Sequence, residues 1–142
     1  MLISTKGRYA LRVMLELSDH ERGEYVPLNT IAARQEISVK YLESILVVLS
    51  KAGAIDGLRG KGGGYRLNRA PRDYTVGEIL RLVEGSLAPV ACLDCKPNDC
   101  HRTVECRTLP LWEKLQALIE NYLDSVTLAD LADPSRIGDY QI

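Results

Sequence analysis

The chain has 142 residues, 46% of them apolar and none of them Phe, and a formal net charge of −1. That suits one compact domain with an appendage around a mostly aliphatic core. No apolar run reaches the ~20 residues of a membrane span, and the opening MLISTKGRYALRVM has neither the apolar core nor the cleavage site of a signal peptide. The expected location is the cytoplasm, where thiols are normally reduced. The near-zero total hides a division. Residues 1–72 hold 12 Lys and Arg against 7 Asp and Glu, a net of +5, whereas residues 73–142 hold 6 against 12, a net of −6. The first half can attract phosphates, and the second is expected to stay off nucleic acid.

In chain order, Ser4 or Thr5 is placed to cap a first helix reaching about Asp19. Tyr9, Ala10, Val13, Met14 and Leu17 recur at helical spacing and make its buried stripe, with Met14 as core filler. Lys6, Arg8 and Arg12 lie near its start, either as phosphate contacts or as a plain solvated face. Residues 20–26 read as a loop.

The segment 27–67 carries the strongest pattern. Leu28, Ile31 and Ala32 mark a short helix with Asn29 or Thr30 available as its N-cap. A turn falls at Glu36–Ile37, and Ser38 caps a second helix whose Leu42, Ile45, Leu46 and Leu49 must face the core. At 100° per residue the opposite face carries Lys40, Ser44, Val47 and Lys51, flanked by Tyr41 and Glu43. Lys and Ser donate to phosphates or bases, Glu accepts from a cytosine amino group, and an outward Val suits a thymine methyl. Read alone, this helix fits a solvated face equally well.

The next stretch decides between them. Ile55–Arg59 and Tyr65–Leu67 read as paired strands around Gly60-Lys61-Gly62-Gly63-Gly64, with Arg59, Lys61 and Arg66 about the glycines. A P-loop would end in Gly-Lys-Ser/Thr and open a helix, and a Rossmann glycine motif would also lead into a helix. This loop does neither. A basic glycine hairpin directly after a helix pair is the wing of a winged helix-turn-helix.

Arg69–Tyr74 is a connector marked by Pro71, and Thr75-Val-Gly-Glu78 is a capping box opening a helix to about Glu84, ended by Gly85. A long helix is expected over Leu109–Val126, with Pro110 tolerated in its first turn. Trp112, Leu115, Ile119, Tyr122 and Val126 form an a/d-like seam, widened by Leu111, Leu118 and Leu123. So broad an apolar surface suits a dimer interface, with intramolecular packing as the alternative. Thr127 begins a last short helix through Leu131, and the tail after Pro134 is expected to be loose.

All four cysteines, Cys92, Cys95, Cys100 and Cys106, fall within fifteen residues in the spacing C-x2-C-x4-C-x5-C. Pro97, Asn98 and Asp99 make the segment a loop. In a reducing compartment such density points to a metal or redox site. Zinc would take four thiolates, or three with His101, though only Cys92 and Cys95 are a close pair. An iron–sulfur cluster tolerates wider gaps, and a thiol–disulfide switch needs no metal. Spacing leaves all three open.

The segments STKGRYALRVML, ISVKYLESIL, LRGKGGGYRL and TVGEILRLVEG, in this order, resemble the IscR/NsrR/CymR family of bacterial winged-helix regulators over about Met1 to Leu131. The resemblance implies a homodimer paired through the long helix. In the IscR branch it implies a redox-labile 2Fe–2S cluster on three cysteines, in the NsrR branch a cluster that senses nitric oxide, and in the CymR branch no cluster. By that resemblance Cys92, Cys100 and Cys106 occupy the ligand positions. The chain departs from the pattern in its longer first gap with the extra Cys95, in Leu109 where IscR has its histidine ligand, and in Arg8 where NsrR has an acidic one. For the fourth ligand, local chemistry recommends Cys95 first and His101 second.

The expected fold is mainly α with a small β wing. Residues 1–84 form a winged helix-turn-helix DNA-binding domain, 85–108 a cysteine-rich cluster-binding loop, and 109–142 a dimerisation helix and tail. The expected function is a dimeric transcription regulator that binds pseudo-palindromic double-stranded DNA through Lys40, Tyr41, Glu43, Ser44, Arg59 and Lys61. It would sense iron–sulfur, redox or nitric oxide status through its cysteines. A cluster-free thiol or zinc regulator is the alternative. A redox enzyme has Cys92-x-x-Cys95 in its favour but no thioredoxin-like βαβ pattern around it. A winged helix that binds protein instead of DNA is a further rival.

Overall fold

The structure, a computed structural model, describes residues 3–137. Helix α1 (Thr5–Ser18) begins where the Ser4 hydroxyl accepts from the Gly7 amide at 3.2 Å. Its Ala10, Val13, Met14 and Leu17 are buried, while Tyr9 is only half-buried at the edge. Tyr9 packs against this core from its margin, with the Tyr41 ring 5.8 Å away edge-on and the Arg12 guanidinium 5.0 Å over its face.

Helix α2 (Leu28–Gln35) starts one residue before the expected caps. Pro27, with φ −60°, occupies the N-cap position, and its carbonyl accepts from Thr30 and Ile31. Asn29 and Thr30 therefore already lie in the first turn. Proline's fixed φ brings the chain into the helix without a capping side chain. The turn that follows rests on Glu36, whose φ of 54° is left-handed, a conformation that costs a non-glycine residue about 1 kcal/mol. Ser38 then caps helix α3 (Val39–Lys51), accepting from the Tyr41 amide at 3.2 Å. Leu42, Ile45, Leu46 and Leu49 are fully buried, as their spacing requires.

Strands β1 (Ile55–Leu58) and β2 (Gly64–Leu67) pair antiparallel with Ile55 opposite Leu67 and Leu58 opposite Gly64. Val26 adds a bridge to the outer side of β2, exchanging hydrogen bonds of 2.8 and 2.9 Å with Tyr65. The approach is close: a Cβ on Gly64 would lie 2.1 Å from the Val26 carbonyl oxygen. The wing base is locked a second time by Tyr74. Its buried hydroxyl donates to the Ala54 carbonyl at 2.7 Å and accepts from the Asn68 and Arg69 amides.

Helix α4 (Val76–Glu84) crosses α1. The Thr75 hydroxyl accepts from the Glu78 amide at 3.0 Å, but only this half of the expected capping box forms. The Glu78 carboxylate instead meets the Arg69 guanidinium at 2.6 Å, a charged donor that outcompetes a backbone amide. At the far end the Glu84 carboxylate accepts from both the amide and the hydroxyl of Ser4, at 2.9 and 2.7 Å, over a gap kept open by Gly7.

Helix α5 (Leu109–Ser125) ends one residue early, because Val126 is already extended and its carbonyl accepts from the Val76 amide. Thr127 then bridges to Thr75 and caps helix α6 (Leu128–Ala132) with a complete capping box closed by Asp130. Leu128 is fully buried in the same core as α1, α2 and α3. Of the tail expected to be loose, Pro134–Arg136 forms a 3-10 turn, and positions 138–142 lie outside the described residues. Among the described residues no helix is long and apolar enough to cross a membrane. The architecture is mainly helical with a small two-stranded wing.

Candidate nucleic-acid interface and cysteine loop

The outer face of α3 presents Lys40, Glu43 and Ser44 to solvent, together with Val39 and Val47. Val39, Glu43 and Val47 are spaced i, i+4, i+8 along one line, and that spacing would have marked Val39 from sequence. Tyr41 sits half-buried at the side, its ring edge-on to Tyr9 at 5.8 Å. The Ser44 hydroxyl donates to the Tyr41 carbonyl at 2.6 Å, so its lone pairs, not its proton, face outward.

Arg59 and Lys61 are exposed on the wing, where Gly60 and Gly62 take φ of 91° and 76°. A groove of about 540 Å³ runs between the wing, the C-terminal half of α3 and the start of α2. Arg66 is not available to it. Its guanidinium bonds the Asp56 carboxylate at 3.4 Å and the Gly23 carbonyl at 3.1 Å and stacks over the Tyr25 ring.

Arg12 is not set toward a phosphate either. It donates to the Gln35 side-chain oxygen at 3.1 Å and to the Gln35 carbonyl, and lies 5.0 Å over the Tyr9 ring. It ties α1 to the end of α2. Beneath it the buried Glu16 carboxylate accepts from Arg34 and Gln35, each at 2.8 Å, and meets His20 at 3.1 Å. Burial pushes this carboxyl up, but the hydrogen bonds from Arg34, His20 and Gln35 outweigh it and hold the group below its ordinary value. Long-range sequence separation hid this network from periodicity.

The cysteines lie on the segment between Gly85 and Leu109. Cys92 sits in a 3-10 turn, Ala91–Leu93, Cys95 and His101 are exposed, and Cys100 and Cys106 are half-buried. All four thiols are free. The Cys100 amide donates to the Asn98 side chain at 2.9 Å. The Cys106 sulfur lies 3.4 Å from the Thr108 hydroxyl. That hydroxyl, aided by the Thr108 amide, lowers the thiol below its ordinary range. The donor set suits a soft metal or an iron–sulfur cluster. The arrangement does not. Among the described residues no three Cys, His, Asp or Glu side chains are gathered closely enough to hold a metal ion.

Comparison with known proteins fits this architecture. The profile of the Rrf2 family, described as an iron-dependent transcriptional regulator, matches residues 3–134. The transcriptional regulator IscR of Photobacterium profundum is 39% identical over 92% of this chain and 75% of its own length. Among solved structures, CymR, the global cysteine regulator of B. subtilis, is 37% identical with a TM-score of 0.75, covering 94% of this chain and 98% of that one. IscR of T. potens is 39% identical with a TM-score of 0.71, covering all of this chain and 93% of that one. These relatives are regulators and not enzymes. The chain accordingly belongs to the Rrf2 family of transcriptional regulators.

Proposed function

We propose that this regulator works as a homodimer on pseudo-palindromic duplex DNA and reads iron–sulfur, redox or nitric oxide status through its cysteine loop. The observation that carries the reading is the placement of four free thiols on the one segment joining α4 to the exposed helix α5. Residues 1–84 supply the DNA-binding surface, 85–108 the sensor, and 109–142 the subunit contact. Lys40, Tyr41, Glu43, Ser44, Arg59 and Lys61 meet DNA, with Lys40 and Lys61 on phosphates and Glu43 on a base donor. Acting on DNA, the protein belongs in the bacterial cytoplasm.

Cys92, Cys100 and Cys106 are the proposed ligands of a 2Fe–2S cluster, with Cys95 fourth and His101 its substitute. When bound, such a cluster supplies a redox-labile cross-link between thiolates. The chain's own part is to bring distant thiols together, and this requires the loop to leave the conformation described above. The same feature supports a second reading, a cluster-free thiol switch, for which the low-lying Cys106 thiol is the natural nucleophile. A relative from S. aureus, CymR, has been solved in an oxidized form.

Anaerobic purification separates the two readings. Visible absorption with iron and sulfide, lost in Cys92→Ala, Cys100→Ala and Cys106→Ala and shifted in Cys95→Ala, is the expected result. Colourless, metal-free protein whose DNA affinity changes on thiol oxidation would replace the cluster with the switch. Stoichiometric zinc would displace both.

A further inference from the structure

Large apolar side chains are exposed at few places among the described residues. Val104 lies in the cysteine loop, and Leu111, Leu115 and Leu118 line α5. The other three, Val39, Val47 and Leu58, all lie on the side of α3 and the wing. Two of them face a common space. Val47, 45% exposed, and Leu58, 49% exposed, both line the groove between α3 and the wing.

Each is kept bare by its neighbours. Leu58 is paired across the sheet with Gly64, which has no side chain to cover it. Val47 is followed one turn on by Ser50 and Lys51, which are polar and line the same groove. Leu58 is also held in place. The Gly63 amide bonds the Gly60 carbonyl at 3.0 Å, and a Cβ on Gly63 would stand 2.2 Å from the Leu58 carbonyl oxygen. The wing therefore folds back tightly over the Leu58 backbone and leaves its side chain pointing clear. Cations complete the lining, with Lys51 on the helix side and Arg59 on the wing side.

A partner for this groove must be anionic along one line and carry a small apolar group beside it. Duplex DNA has one such feature. The C5 methyl of thymine projects into the major groove close to the backbone of its own strand, and apolar side chains are what recognise it.

We propose that Val47 and Leu58 are the two walls of a slot for a thymine methyl, and that Lys51 and Arg59 hold the phosphates of the same strand. This deepens the DNA-binding reading and rests on it. It assigns base specificity to the wing as well as to the helix, because Leu58 belongs to β1. The slot carries a preference that hydrogen bonding alone would not give. It separates thymine from uracil, whose hydrogen-bonding edges are the same.

The test uses the full-length protein and a duplex recovered by selection from a random 30-base-pair library. That duplex is resynthesised with each thymine replaced in turn by deoxyuridine, and affinity is measured by titration at fixed salt. One thymine in each half-site should lose about fourfold on replacement, the worth of one buried methyl. In Val47→Ala and in Leu58→Ala that loss should vanish, while circular dichroism confirms the fold. A selected duplex whose affinity ignores every deoxyuridine, or whose loss persists in both variants, overturns the proposal and leaves DNA binding intact. Failure to select or bind any duplex overturns the DNA-binding reading itself.

Discussion

At the scale of single residues, Glu16 is the most consequential group that sequence reading passed over. It is buried, charged and shared between α1 and α2, with Arg34, Gln35 and His20 as partners. Removing its charge leaves Arg34 facing a weaker acceptor. Glu16→Gln should lower stability by roughly 1–3 kcal/mol at neutral pH, read from urea unfolding. The pH dependence has a definite sign. The folded carboxyl is held below its unfolded value, so its contribution is complete above that value and is lost as pH falls through the folded one. The gap between wild type and Glu16→Gln should therefore narrow as pH falls below the ordinary glutamate value and close once the folded carboxyl is protonated. An equal gap at pH 7 and in acid would remove the charge from the account. Short-range chemistry was legible at this scale. Ser4, Ser38 and Thr127 cap where their positions indicate, because a cap depends on neighbours three residues away. Arg12 was not legible, because its partner lies 23 positions along the chain.

At the scale of elements, α5 leans on α4 through the packing of Leu123 against Val76 and Leu80 and through an ion pair. Arg81 meets both oxygens of Asp124, at 2.7 and 2.9 Å, and Gly77 leaves the room for it, since a Cβ there would touch the carboxylate. Both side chains are more than a third exposed, so water screens the pair despite its two-pronged geometry. A double-mutant cycle of Arg81→Ala and Asp124→Ala should show coupling of about 0.5–1 kcal/mol, falling with added salt. Additive losses would mean the helices are held by apolar packing alone. Apolar spacing and capping residues together placed helices α1 to α6 to within a few residues at their ends, since both signals are local in sequence. One helix start differed for a local reason, since Pro27 began α2 early, and at α4 Arg69 took the carboxylate that would have completed the Thr75 box without moving the start.

At the scale of the whole molecule, α5 has no fully buried residue, and Leu111, Leu115 and Leu118 are open to solvent. A seam of this kind on a helix of 17 residues needs a second surface. If that surface is a second copy, Ile119→Asp should give monomers in sedimentation and weaker DNA binding, because the charge would be buried at the contact. An intact dimer would move the interface elsewhere. The winged helix could be read whole from the sequence, since its motifs are contiguous. The conformation of the loop could not, because thiol spacing says which groups are near in sequence and nothing about how the backbone between them turns. The way α5 is fastened has a mechanical consequence. Its C-terminal end is fixed to the core by Asp124, by the Val126–Val76 hydrogen bond and by the buried Leu128, whereas its N-terminal end continues from the loop. At 1.5 Å per residue the helix is a lever about 25 Å long with its fulcrum at the Arg81 end. A tilt of about 5° there swings Leu109 through roughly 2 Å, so a small change in the loop turns α5 as a whole, with displacement greatest beside the loop and vanishing at the fulcrum.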